Sequence, residues 1–137
     1  MKPWVVDTCV VVDVAINDSV NGVKSAQLLQ SKLEDGFIIC AVTFVELAPV
    51  FGGDLAELKS FLIGARIGWE EPWTLADTET SHGGWWRHVS QKRQETVARR
   101  PVADLLIGGF ACRFRGLITR NLADFKCFYP ALNLVSP

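Results

Sequence analysis

Short apolar runs alternate with segments of helical periodicity along most of the chain. The runs at residues 4–6, 37–40 and 117–119 are too short for helices and predict buried strands. The second run has no polar alternation, which is typical of a strand buried on both faces of a parallel sheet. Further strands are predicted at residues 66–70 and 132–134.

Apolar residues at helical spacing fill the first stretches between these runs. Residues 9–16 predict one helix, and a second follows the Asn21-Gly22 pair. One apolar face is expected on this second helix, made of Val23, Ala26, Leu29 and Leu33. Thr43 lies three residues before Glu46, which is the spacing of a capping box and predicts the start of a third helix.

The second half of the chain continues the alternation. Asp54 and Glu57 predict a helix start, followed by an apolar stripe of Leu55, Leu58, Phe61 and Leu62. Residues 74–96 are predicted to be mostly helical although they contain Gly83-Gly84, and residues 103–114 form the next helix after Pro101. A short turn or helix is expected at residues 121–124. Strands alternating with helices predict an α/β sandwich on a parallel sheet.

Composition narrows the class of protein. A chain of 137 residues, 49% of them hydrophobic, is typical of one globular domain spanning residues 1–137. No apolar run approaches the ~18 residues of a membrane span, and the N-terminus does not read as a signal peptide. The four cysteines form no C-x-x-C pair and no histidine lies at zinc-ligand spacing, so we expect reduced thiols in a cytoplasmic protein.

The net charge of −1 hides an asymmetry between the halves of the chain. Residues 1–85 carry a net charge of −7, and residues 86–137 carry +6. Such asymmetry indicates a polyanion or cation partner only weakly. On charge alone, two ordinary solvated faces are the better interpretation.

Four carboxylates follow the predicted strands or begin a helix beside them. Asp7 ends the first strand, Glu46 comes six residues after the second, and Asp124 comes five residues after the fourth. Parallel strands end at the same edge of a sheet, where ligands bind in α/β folds, so we expect these three acids to converge. Asp104 joins them if its helix begins at that edge, and Asp13 is a lesser candidate.

Carboxylates side by side raise each other's pKa unless a cation compensates their charge. Ligands that are all oxygens favour Mg²⁺ or Mn²⁺, and such a site suits hydrolysis of a phosphodiester. Each acid also has a structural interpretation. Glu46 could complete the capping box, Asp104 could stabilise a helix N-terminus, and Asp124 could lie in a turn.

Four short motifs occur in order along the chain: Val5-Val6-Asp7-Thr8, Thr43-Phe44-Val45-Glu46-Leu47, Ala103-Asp104-Leu105-Leu106-Ile107-Gly108 and Ile118-Thr119-Arg120-Asn121 with Asp124-Phe125 after it. Together they resemble the PIN-domain family, most closely its small VapC-type toxin ribonucleases, over nearly the whole chain. The resemblance implies a three-layer α/β/α sandwich with a central, mainly parallel sheet of four or five strands. It also implies Mg²⁺- or Mn²⁺-dependent endonucleolytic cleavage of RNA, a cognate antitoxin partner and a homodimer.

The resemblance assigns roles residue by residue. The acidic quartet that would bind metal and catalyse cleavage is matched by Asp7, Glu46, Asp104 and Asp124. Residues expected to support this quartet are Thr8, Thr119 and Asn121. Many relatives have Ser or Asn where this chain has Cys9, and an acid where it has Asn121. Either Asp124 or Asn121 could therefore supply the fourth ligand.

Basic and aromatic residues add candidates for contact with RNA. Arg99 and Arg100 directly precede the helix of Asp104, and Arg120 lies beside the site in sequence, so these three could hold phosphates. The pair Trp85-Trp86 is expected in a core or an interface rather than on RNA. The two histidines, His82 and His88, are expected at the surface.

Two other functions compete with a ribonuclease. Asp7 could be the nucleophile of an aspartyl-phosphate enzyme, although Asp7-Thr8-Cys9 lacks the second acid of the phosphatase motif. The chain could instead be a catalytically degenerate PIN-like module that binds RNA or protein, for which Asn121 is the sequence support. Cys9 as a nucleophile is disfavoured because no histidine base is evident near it in sequence.

Overall fold

In the described part of the chain, five short strands form one sheet in which every neighbouring pair runs parallel. The computed structural model describes residues 2–92 and 101–137. The strands are β1 (Trp4–Val6), β2 (Phe37–Ile38), β3 (Ile67–Gly68), β4 (Gly116–Ile118) and β5 (Leu134–Val135). Their order across the sheet is β3-β2-β1-β4-β5, so β1 is the central strand.

Seven α-helices within the described residues cover the sheet. They are α1 (Thr8–Ala15), α2 (Gly22–Ser31), α3 (Ala41–Glu46), α4 (Leu55–Gly64), α5 (Leu75–Lys92), α6 (Val102–Ala111) and α7 (Leu122–Phe128), with 3₁₀ turns at Leu33–Asp35 and Ala48–Phe51. None of these described helices is long and apolar enough to cross a membrane. The α/β sandwich predicted from the sequence is confirmed.

Adjacent residues of β1 enter different hydrophobic cores, because side chains alternate across a strand. Val6 packs with Leu29 of α2 and Leu62 of α4 on one face. Val5 packs with Ile107 of α6 on the other face. Since helices bury both faces, the apolar composition of the central strand follows from its position.

The helix containing Glu46 begins earlier than predicted. Cys40 is the residue before α3, and Thr43 lies inside the helix with no exposed surface. The predicted capping box is therefore wrong, and with it the interpretation of Glu46 as a capping residue. The signal misled because Thr43 and Glu46 are one helical turn apart in either arrangement.

The predicted apolar face of α2 is also wrong in part. Leu29 is buried, but Val23 and Ala26 are exposed, and the residues that accompany Leu29 inside are Gly22 and Ser25. A Cβ atom on Gly22 would lie 3.1 Å from the backbone of Asn17, so the glycine permits α2 to pack closely on the turn after α1. The close approach of Gly22 to Asn17 and the buried hydrogen bond of Ser25 to Asp13 therefore decide which face of α2 points to the core.

The start of α4 agrees with the sequence. The Asp54 side chain accepts a hydrogen bond of 3.1 Å from the backbone N–H of Glu57, as an N-cap residue does. Leu58 and Leu62 are buried as expected, whereas Leu55 is exposed at the first turn. The apolar stripe thus points inward only after the helix has passed its N-terminus.

Glycines inside α5 and α6 form a slot for one aromatic ring. A Cβ atom on Gly84 or Gly108 would lie 2.6 Å or 2.5 Å from atoms of the Tyr129 ring. The Tyr129 hydroxyl donates to the backbone oxygen of Leu105, and burial raises its pKa to about 12. The helix predicted over residues 74–96 is confirmed from Leu75 to Lys92, and residues 93–96 lie outside the described part of the chain. The packing of Tyr129 explains a glycine that intrinsic helix propensity disfavours.

Candidate active site at the carboxyl edge of the sheet

Asp7 is the first residue beyond the central strand and the N-cap of α1. Its backbone N–H donates to Ile118 of β4 at 2.9 Å, which extends the sheet by one hydrogen bond. Its Oδ1 accepts from the backbone N–H of Thr8 at 2.8 Å. Asp7 as a whole is only 4% exposed, so strand and helix together hold a charge in a largely buried position.

The other oxygen of Asp7 is held by a hydroxyl and a thiol. Thr119 Oγ1 donates to Oδ2 at 2.7 Å, and Cys9 Sγ donates to the same oxygen at 3.4 Å. All the hydrogen-bond donors that the described residues bring to Asp7 are therefore neutral. A buried carboxylate normally has a charged partner, so this environment is unusual.

The electrostatics of Asp7 follow from this environment. Burial raises the pKa of Asp7 above its ordinary value, and hydrogen bonds from Thr119, Cys9 and Thr8 offset only part of that effect. The negative charge of Glu46 raises it further. Burial, together with the charge of Asp7, raises the pKa of Cys9 to about 11, so the thiol stays protonated at neutral pH.

Glu46 is the last residue of α3 and is exposed. Its Oε1 accepts a hydrogen bond of 2.7 Å from the Thr8 hydroxyl. Thr8 therefore contacts two of the predicted site acids, Asp7 through its backbone and Glu46 through its side chain.

The last two acids meet at one amide group. Asp104 lies in the first turn of α6 and Asp124 in the first turn of α7. The Nδ2 of Asn121 donates to Asp124 at 3.0 Å and is 3.5 Å from Asp104. The backbone N–H of Asn121 donates to Thr119 Oγ1 at 2.9 Å, so a hydrogen-bonded chain joins these acids to Asp7.

The four acids thus converge on one edge of the sheet, with neutral donors standing between them. In the part of the chain that the structure describes, no three Asp, Glu, His or Cys side chains are grouped closely enough to hold one metal ion. The available donors are carboxylate, hydroxyl and amide oxygens, which fit a hard cation such as Mg²⁺ or Mn²⁺. Asn121 is seen here as a donor between Asp104 and Asp124.

Arg120 forms an ion pair within the fold. Its guanidinium donates to both oxygens of Asp13, at 2.8 Å and 3.1 Å, and the Ser25 hydroxyl donates to the same carboxylate at 3.0 Å. The buried Asp13 therefore has a charged partner, and this pairing raises the pKa of Arg120. Whether Arg120 also contacts RNA stays a prediction, and Arg99 and Arg100 lie outside the described residues.

The structure bears on two expectations for α5, and the one that His88 lies at the surface is wrong. Trp85 and Trp86 are both exposed, 38% and 66%, so the pair is not a core element, and its place in an interface stays a prediction. His88 is only 8% exposed and packs edge-on against Phe128 of α7 with ring centroids 5.4 Å apart, whereas His82 is at the surface. The sequence carried no signal for this burial, because α7 is 30 residues or more away along the chain.

Sequence reasoning missed an apolar groove of about 680 Å³ beside the acids. Its walls come from α3, α5, α6 and the segment before α5, and include Val42, Trp73, Trp85, Val102 and Leu106. The groove adjoins the acidic edge because α3 and α6 also carry Glu46 and Asp104. The available signal was Trp73, which is isolated in a polar stretch and stacks on Phe110.

Comparisons with known proteins bear on the fold. The chain matches no protein-family model and no curated protein. It is similar in structure to a chain in the crystal structure of VapBC2 from Rickettsia felis bound to a DNA fragment from their promoter. The TM-score is 0.65 and the sequence identity is 19%, over 97% of both chains. This likeness supports the PIN-like three-layer architecture that the sequence predicts.

Proposed function

We propose that this protein is a metal-dependent endoribonuclease that hydrolyses RNA phosphodiesters at the acidic edge of its sheet. The observation that carries the proposal is Asp7, a buried carboxylate whose donors are all neutral among the described residues. Glu46 adds negative charge beside it, and hydrogen bonds connect it to Asp104 and Asp124. A divalent cation would compensate this charge.

The residues that would hold Mg²⁺ or Mn²⁺ are Asp7, Glu46, Asp104 and Asp124. Such an ion supplies an activated water and stabilises negative charge on a phosphoryl oxygen. Thr119 orients Asp7 through its 2.7 Å hydrogen bond, and Asn121 keeps Asp104 and Asp124 beside one another. Either Glu46, exposed at the end of α3, or Asp104 would orient or deprotonate the attacking water.

RNA contacts beyond the acids would come from the basic second half of the chain. We propose Arg99, Arg100 and Arg120 for phosphate binding, since arginines supply the sequence-independent part of nucleic-acid affinity. Arg120 is 39% exposed at its side chain while paired with Asp13, so one side of the guanidinium remains accessible.

The structural likeness to a chain of the VapBC2 complex supports a place in a toxin–antitoxin pair. We propose that the chain is the toxin, acts in the cytoplasm, forms a homodimer and is inhibited by a cognate antitoxin. Co-expression with the small protein encoded by the neighbouring reading frame should yield a complex with suppressed RNA cleavage. Light scattering of the chain alone should give twice the monomer mass.

The enzymatic proposal is tested with purified protein, RNA and Mg²⁺ or Mn²⁺. Wild type should cleave RNA, and chelation of the metal should abolish the reaction. Asp7→Asn should lower cleavage on the order of 100-fold or more, because a ligand contributes more than the 10- to 100-fold typical of outer-shell partners. Asp54→Asn is the matched control, since Asn also caps a helix and Asp54 lies on α4. Equal activity of Asp7→Asn and wild type would contradict the proposal.

A degenerate PIN-like binding module is the second candidate. It is favoured by the neutral amide of Asn121 between two acids and by the absence of a three-acid cluster among the described residues. This module would bind RNA without cleaving it and would show no heat of Mn²⁺ binding in calorimetry. Saturable binding of Mn²⁺ that Asp7→Asn abolishes would exclude it.

A further inference from the structure

Three side chains form a hydrogen-bonded chain beside Asp7. Thr43 Oγ1 lies 3.0 Å from Thr8 Oγ1, which lies 2.7 Å from Glu46 Oε1. Thr43 has no exposed surface, whereas Glu46 is exposed. A buried hydroxyl is therefore connected to an exposed carboxylate through one intermediate hydroxyl.

The chemistry of these three groups decides which hydroxyl donates each hydrogen bond. An ionised carboxylate only accepts hydrogen bonds, so the single hydroxyl hydrogen of Thr8 is donated to Glu46. Thr8 then has only its lone pairs to offer Thr43, and Thr43 must be the donor of the second bond. The hydroxyl of Thr43 thereby fixes the rotation of the Thr8 hydroxyl toward Glu46.

This arrangement matters because, among the described residues, the Thr8 hydroxyl is the hydrogen-bond donor that holds the Glu46 side chain. A long, exposed side chain at the last residue of a short helix samples several rotamers, and holding it in one of them costs entropy. Thr8 also donates its backbone N–H to Asp7 at 2.8 Å, so the same residue sets the position of both carboxylates. The contact with Thr8 occupies Oε1 of Glu46, so Oε2 is the oxygen that would be left for the proposed cation.

We propose that Thr43 is a positioning residue of the metal site, acting on Glu46 through the hydroxyl of Thr8. The inference rests on the proposed metal-dependent function and extends it to a residue buried inside α3. A purely structural role would be different, because Thr43 would then stabilise the helix and its loss would not depend on Glu46.

The test uses Thr43→Val, which removes the hydroxyl at nearly constant shape, and Thr43→Ser, which keeps it. Mn²⁺ binding to the full chain is measured by titration calorimetry. Thr43→Val should weaken binding roughly 3- to 10-fold, the range of a lost hydrogen bond that orients a ligand. Thr43→Ser should bind within about 2-fold of wild type. Thr8→Val should weaken binding as Thr43→Val does, and the double variant should add little.

The same substitution made in a Glu46→Ala background distinguishes a positioning role of Thr43 from a purely structural role. There, Thr43→Val should cause no further loss of Mn²⁺ affinity, and an equal loss in both backgrounds would overturn the inference. A second cycle uses urea denaturation of the metal-free proteins, in which Thr43→Val should cost less stability after Glu46→Ala than before it. Strictly additive costs would also overturn it. Failure of wild type to bind Mn²⁺ would instead refute the proposed function, and the metal-free cycle would still decide the role of Thr43.

Discussion

Two buried aspartates, Asp7 at the sheet edge and Asp77 in α5, differ in how the surrounding residues compensate their negative charge. Asp77 has no exposed surface, and its carboxylate accepts hydrogen bonds from the guanidinium of Arg113, one of them 2.8 Å long. The backbone N–H of Thr74 donates to it as well, at 2.9 Å. Asp7 is buried to a similar extent, but the described residues give it only neutral donors.

The pKa values of the two carboxylates are shifted in opposite directions from the ordinary value. Burial opposes ionisation of both, but the hydrogen bonds and charge of Arg113 outweigh it for Asp77 and hold its pKa below the ordinary value. For Asp7 burial prevails, and the pKa is raised. An acid whose charge is compensated inside the fold has a structural role, whereas an acid without such compensation is suited to bind a cation.

Of the substitutions that test this difference between Asp7 and Asp77, removal of Arg113 should change stability most. Arg113→Met leaves the charge of Asp77 buried without its partner and also removes the contacts of the guanidinium with Phe110 and Phe114. Breaking a buried ion pair costs about 3 kcal/mol, which urea denaturation at neutral pH should detect as lower stability. Asp77→Asn in the same background should recover part of the loss. A cost under about 1 kcal/mol would mean that the pair is not structural.

Asp7→Asn should change stability in the opposite direction. The metal-free variant should be more stable than wild type at pH 7, by about 1 kcal/mol, because it buries no charge. Thermal unfolding measures this as a melting temperature a few degrees higher. Addition of Mn²⁺ should raise the melting temperature of wild type only. A less stable metal-free variant would show that Asp7 serves the fold.

The pH dependence of stability tests the difference between Asp7 and Asp77 in the metal-free protein. Wild-type stability contributed by Asp7 falls as pH rises from its ordinary value of 3.8 through the raised pKa, because the folded state binds the proton more tightly. Stability contributed by Asp77 is present above 3.8 and is lost as pH falls through the lowered pKa. Asp7→Asn and Asp77→Asn should therefore differ from wild type with opposite signs at pH 7. Both differences should shrink in acid, and differences of one sign would contradict the assignment.

Cys9→Ser should change stability least among these substitutions. A hydroxyl is a stronger donor than a thiol and should hydrogen-bond Asp7 Oδ2 more closely than the 3.4 Å of Cys9 Sγ. The raised pKa of Asp7 should move back toward its ordinary value, and metal-free stability at pH 7 should rise by a few tenths of a kcal/mol. NMR titration of the Asp7 carboxyl carbon measures the shift, and Cys9→Ala should move it the other way.

The sequence alone determined the architecture and the edge of the sheet at which the acids meet. Apolar runs separated by helical periodicity were sufficient to predict a parallel sheet, since both signals are local. Asp7 was evident because an acid directly after a buried strand is costly without a partner. Convergence of Glu46 and Asp124 followed from the rule that parallel strands end at one edge.

Only the tertiary structure decided what each polar group contacts. Thr43 looked like a helix cap and is a buried hydroxyl hydrogen-bonded to Thr8, which contacts Glu46, while Asp13 looked like a lesser site residue and is the partner of Arg120. His88 and the glycine slot for Tyr129 depend on helices that are distant in sequence. The physical reason is common to all of them. Hydrogen bonds, ion pairs and close packing act over a few ångströms, and residues that meet over such distances are separated along the chain by an amount that no local pattern records.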